Sequence, residues 1–104
     1  MATQPVGTFR QRLGRCYMLA GRFVSYDAPA GTRLVHGTIQ GRGHPRTGHA
    51  WAILPDGRVW EPITMQVYRP GAFKAIYSAQ PVGTYDQQTV LQESLRTGHW
   101  GPWS

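Results

Sequence analysis

Residues 48–62 read Gly-His-Ala-Trp-Ala-Ile-Leu-Pro-Asp-Gly-Arg-Val-Trp-Glu-Pro, and this stretch decides the fold. Two apolar runs, 48–54 and 58–62, flank Pro55-Asp56-Gly57. Proline presets the backbone of a turn corner, and glycine takes the left-handed position after it. The three residues therefore read as a type I turn with a glycine bulge, joining two antiparallel strands. The loop sets the register. With Leu54 opposite Arg58, Trp51 falls opposite Glu61 and His49 opposite Ile63. Side chains alternate along a strand, so His49, Trp51, Val59 and Glu61 share one face. His49 and Glu61 are then diagonal neighbours about 7–8 Å apart at the backbone, a gap that two long side chains close. A slip of one residue would destroy the pairing.

Upstream, Cys16, Leu19, Ala20, Phe23 and Val24 recur at helical spacing, which predicts an amphipathic helix from Cys16 to about Tyr26. Asp27-Ala-Pro-Ala-Gly31 ends it. Arg33 to Gln40 reads as a strand, with Leu34, His36 and Thr38 on one face and Val35, Gly37 and Ile39 on the other. Gly41 to Gly48 is a loop. Beyond the hairpin, Gln66–Tyr68 and Ala75–Ser78 read as short strands. Thr84 to Arg96 reads as a second helix, opened by a Thr84–Gln87 capping box and buried along Val90, Leu91 and Leu95. Gly98 stops it. The tail, His99 to Trp103, carries too much aromatic area to remain in water and is expected to pack back on the body. Residues 1–13 read as a mobile or loosely packed lead-in to a single domain, 1–104.

Length and composition bound the rest. A chain of 104 residues allows one domain with a small core. Apolar residues make up 40%, a globular composition and not a disordered one. The net charge of +6 favours anionic partners, but ten arginines and one lysine are scattered singly, so no dedicated nucleic-acid arm is indicated. One cysteine makes neither an internal disulfide nor a structural zinc site, and it fits a reducing compartment. No signal-peptide core and no run of membrane-spanning length occurs, so a cytoplasmic protein without membrane contact is expected.

The chemistry lies in the order cysteine, histidine, carboxylate. Cys16 opens the helix, where unpaired backbone N–H groups and the helix dipole favour an anionic thiolate. Those N–H groups suit an oxyanion as well. His49 is positioned as the base that takes the thiol proton and returns one to a leaving group. Glu61 is the candidate to hold the ring tautomer and stabilise the imidazolium. Tyr17, Trp51 and Trp60 would wall the cleft. His36 would line it from the neighbouring strand, and Gln11 would donate to an oxyanion. The alternative for Cys16 is a small core hydrophobe, and for Glu61 a solvated carboxylate. A metal site from Cys16, His36, His49 and Glu61 lacks any short-spaced ligand pair, and no cofactor is expected. Asp56 is explained by turn chemistry.

Cys16-Tyr17, Leu34-Val-His-Gly37, His49-Ala-Trp51, the Asp56-Gly57 turn, Glu61-Pro62 and Gly98-His-Trp-Gly-Pro-Trp103 together resemble small papain-like or transglutaminase-like cysteine hydrolases. More narrowly, they resemble a group of small proteins of phages and bacteria. The resemblance covers most of residues 14–103. It implies an α+β fold, with the cysteine-bearing helix packed on a small antiparallel sheet and a second helix near the C-terminus. It also implies Cys16 as nucleophile, His49 as base and Glu61 as third member. Relatives of this architecture more usually carry Asp or Asn at the third position, and they are longer. The short chain favours a narrow substrate, such as an isopeptide, a cell-wall peptide or a small amide, over a general protease. The rival expectation is a non-catalytic phage-type accessory protein, acting in the host cytoplasm and gripping a host protein or nucleic acid through its basic surface.

Overall fold

The computed structural model describes residues 15–103. The lead-in and Gln11 lie outside the described residues. Helix α1 (Cys16–Arg22) runs directly into a π-helical turn, Phe23–Asp27. There follow β1 (Arg33–Ile39), β2 (Thr47–Ile53), β3 (Val59–Glu61), β4 (Gln66–Tyr68), helix α2 (Pro70–Tyr77), β5 (Gln80–Tyr85) and helix α3 (Gln87–Thr97). The strands form one antiparallel sheet in the order β4-β3-β2-β1-β5. The protein is thus α+β. No helix among the described residues is long and apolar enough to cross a membrane.

The hairpin forms in the expected register. Ala52 faces Trp60 and Ile53 faces Val59. Leu54 N donates to Arg58 O at 2.8 Å, and Gly57 N donates to Leu54 O at 2.9 Å. Gly57 has φ 91, the left-handed value its bulge position requires. Asp56 accepts from Arg58 N at 3.0 Å, as turn chemistry demands.

The alternation of side chains sorts the core into two layers. Leu34, Ala50, Ala52 and Trp60 face α1 and α3, packing on Ala20, Phe23, Val24 and Val90. Trp60 stacks on Phe23 with ring centroids 3.9 Å apart. It is a core residue and not a cleft wall, because the strand turns it toward α1. Val35, Trp51 and Val59 face the other way, onto Phe73 of α2 and Ala79.

Three expectations are corrected. Residues 75–78, read as a strand, belong mostly to α2, which begins at Pro70 after an extended Arg69. Proline at the first helical position lacks an N–H that would be unpaired there anyway. Phe73, Ile76 and Tyr77 then fall at helical spacing, although only Phe73 is buried. Residues 80–85 form β5, and α3 starts at Gln87, so Thr84 is a strand residue. The cap is Asp86, whose side chain accepts from Thr89 N at 2.8 Å. Pro81 and Gly83 are tolerated because β5 is an edge strand. Of the expected stripe on α3, Val90 is fully buried, whereas Leu95 is 83% exposed.

The tail does pack back. Gly98, at φ 77, ends α3, and Trp100 lies against Gly21, where no side chain would fit. Trp103 reaches Tyr85 and His36, with ring centroids at 5.2 and 4.9 Å.

Candidate active site

Three segments meet at the open end of the β2–β3 hairpin. Cys16 is the first residue of α1 and is buried against Leu19 and Ile63. His49 stands near the start of β2 and Glu61 at the end of β3, both buried. His49 Nε2 lies 2.8 Å from Glu61 Oε2. Cys16 is close enough to raise the His49 pKa. Because Nε2 is engaged by Glu61, Nδ1 is the ring nitrogen not used in that bond. An ionised carboxylate only accepts, so Nε2 carries the proton in that bond and Nδ1 is the basic site.

The sequence Glu61-Pro-Ile-Thr64 explains how the longer carboxylate fits. Pro62 has no N–H and holds Glu61 extended, and the chain then turns sharply. The carboxylate curls back over this turn. Oε2 accepts from Ile63 N at 3.0 Å, while Oε1 accepts from Thr64 N at 2.7 Å and Thr64 Oγ1 at 2.8 Å. The extra methylene of Glu, compared with Asp, lets one carboxylate span its own turn and the histidine.

Electrostatics follow from these contacts. Burial opposes ionisation of Glu61, but the bonds from His49, Thr64 and Ile63 outweigh it and hold the carboxyl below its usual value. Burial alone would lower the His49 pKa. Hydrogen bonds with Cys16 and Glu61, and the negative charge those two groups carry when ionised, reverse this and push it up to about 9. Tyr17 is raised by burial and by charge at Cys16.

The remaining expected residues fall out as follows. Tyr17 lies beside the site; its hydroxyl occupies the space above Gly48 and its ring meets His36 edge-on at 4.9 Å. Gly48 is glycine because that hydroxyl stands 2.7 Å from where a Cβ would be. Trp51 is buried next to His49, with ring centroids 6.3 Å apart, and packs on Phe73. It supports the histidine from below and lines an apolar groove of about 460 Å³ toward α2, rather than an open cleft at Cys16. His36 does not line the His49 cleft. One residue of strand alternation puts it on the opposite face, enclosed by Tyr17, Tyr85, Trp103 and Gly101. Among the described residues neither ring nitrogen of His36 has a hydrogen-bond partner, and burial lowers its pKa to about 4.

A cleft of about 400 Å³ lies at the start of α1, lined by Arg15, Tyr17 and Met18 on one side and residues 98–101 on the other. Among the described residues, no group of three His, Cys, Asp or Glu side chains is placed to hold a metal ion. Thr64 escaped the sequence reading. The available signal was its position three residues after Glu61, where a hydroxyl and an N–H both reach back.

No protein-family model, no curated protein and no solved structure matches this chain.

Proposed function

We propose that this protein is a cysteine-dependent hydrolase or acyltransferase of papain-like arrangement, acting on an amide, isopeptide or thioester. The observation that carries the reading is the buried His49, held at 2.8 Å by Glu61 on one ring nitrogen and coupled electrostatically to the buried Cys16. A histidine oriented by a carboxylate and facing a thiol is the arrangement that activates a cysteine nucleophile.

The steps are these. Cys16 gives its proton to His49 Nδ1, and Sγ attacks the carbonyl carbon. A C–S bond forms, and the carbonyl π pair moves onto oxygen. The N–H groups of Cys16, Tyr17 and Met18 lie ahead of the helical ladder, whose first bond runs from Leu19 N to Arg15 O, and in this reading they donate to the developing oxyanion. The C–N bond of an amide then breaks, and the leaving nitrogen takes the proton from the imidazolium. Water attacks the thioester while His49 accepts its proton; the acid departs and Sγ is restored. An amine in place of water gives transfer.

The test uses the fact that Cys16 is the chain's one cysteine. Iodoacetamide alkylation is followed against pH in the native protein and in His49→Ala. The expected result is rapid alkylation that persists below about pH 7, under the range of an ordinary thiol, and is lost in the variant. Slow alkylation in both proteins would end the enzyme reading and favour the basic-surface binding role.

A further inference from the structure

We propose that Thr64 is the positioning residue of this site, holding Glu61 as an anion turned toward His49, with Tyr68 and Tyr77 donating in line behind it. The inference rests on the Cys16–His49–Glu61 reading and deepens it.

The chain builds the turn at 62–65 around the carboxylate. Met65 takes φ 58, a left-handed value that a long side chain seldom adopts. Without that turn, Thr64 would not present both its N–H and its hydroxyl to the same oxygen, at 2.7 and 2.8 Å.

The direction of the hydroxyl protons follows from the carboxylate. Glu61 only accepts, so Thr64 Oγ1 donates to Oε1. The Tyr68 hydroxyl is 3.4 Å from Thr64 Oγ1 and must donate to it. The Tyr77 hydroxyl is 3.2 Å from that of Tyr68 and donates in turn. Hydroxyls from the turn, β4 and α2 therefore point their protons one way, toward Glu61. Such a chain polarises each successive bond and favours negative charge at its end. The ionisable groups facing Glu61 from the packed elements are His49 on β2, with Cys16 beyond the ring, Tyr68 on β4 and Tyr77 on α2. The negative charge of Glu61 contributes to raising the Tyr77 pKa, after burial and the Tyr68 contact. The two ends of the relay thus act on each other.

The chain has two glutamates, Glu61 and Glu93, so protein labelled with ¹³C at the glutamate carboxyl gives two resonances to titrate. Glu93 pairs with Arg96 on α3 and serves as an internal control. Thr64→Val is expected to raise the Glu61 midpoint by about half a pH unit or more, because one donor to the anion is removed. Thr64→Ser keeps the hydroxyl and leaves the midpoint in place. Tyr68→Phe raises it by less, and Glu93 does not move in any variant. The acid loss of Cys16 alkylation shifts in step with Glu61. A folded Thr64→Val with an unmoved Glu61 midpoint overturns the proposal. If Thr64→Val does not fold, Tyr68→Phe decides: a rise supports the relay, and no movement overturns it. Failure of the enzyme reading is seen separately, as slow alkylation in the unaltered protein.

Discussion

His49 and Glu61 are joined at 2.8 Å although they are diagonal, and not opposed, on the β2–β3 ladder. The carboxylate reaches across only because it is gathered in by the turn that follows it. Glu61→Gln preserves the shape but replaces a group that accepts at both oxygens with one that also donates. We expect alkylation of Cys16 at neutral pH to slow about tenfold or more, corresponding to about 1.4 kcal/mol. Glu61→Asp should also be slowed, since it is too short to bridge His49 and Thr64 together. An Asp variant as fast as the native protein would mean that the bridge is unimportant.

Two histidines pull the pH dependence of stability in opposite directions. His49 holds its proton more tightly when folded, at about 9 against an ordinary 6.5, so its contribution is complete below pH 6.5 and is lost as pH rises through 9. His36 is held neutral, near 4 against 6.5; its contribution is complete above 6.5 and is lost as pH falls toward 4. The depressed Glu61 adds a further loss at lower pH. Melting temperature measured across this range should peak near pH 6.5. His36→Leu should flatten the acid side and His49→Gln the alkaline side. A melting temperature constant from pH 4 to 9 would contradict both assignments.

Gly101 carries φ 117, and a Cβ there would collide with the His36 ring. Gly101→Ala should cost about 1–3 kcal/mol in urea denaturation, from backbone strain and overpacking together. Gly57 has a similar φ of 91, but no described residue comes within 4 Å of its Cβ position. Gly57→Ala should cost only the strain, about 1 kcal/mol. Equal losses at the two positions would show that the tail does not press on His36.

The start of α3 offers a sharp contrast between neighbouring residues. Asp86→Ala removes the bond to Thr89 N and should cost about 1 kcal/mol. Thr84→Ala, in the exposed edge strand, should change stability by no more than about 0.5 kcal/mol. Chemical denaturation of both variants checks the order.

The hairpin and the His49–Glu61 pair were legible because their determinants are local. A three-residue loop sets a register, and a period of two then sorts His49, Trp51 and Glu61 onto one face. The same alternation was available for His36, one strand over, but the pairing of Gly37 with His49 was not. That pairing turns His36 away. Residues 70–85 misled for a different reason. Ala75-Ile-Tyr77 carries strand-like residues, and Pro81 with Gly83 argues against a strand; burial of Phe73 on the sheet and pairing of β5 with β1 override both. Thr64 stayed unread because its role depends on a turn with no glycine to announce it.

β5 pairs with β1 across about half the chain, and Gln87 ties the two ends of the fold together. Its side-chain amide donates to Val24 O and Pro29 O and accepts from Gly31 N, positions 63, 58 and 56 residues away. Such distant closures cost chain entropy before they return any contact, and they slow folding. α1 therefore gains its full packing only when residues 87–100 are in place. A nascent or truncated chain ending before Tyr85 would lack the edge that holds β1, and Cys16 would stand on a helix without a settled seat. The seat of Cys16 is thus completed only after β5 and α3 have joined the sheet and the helix.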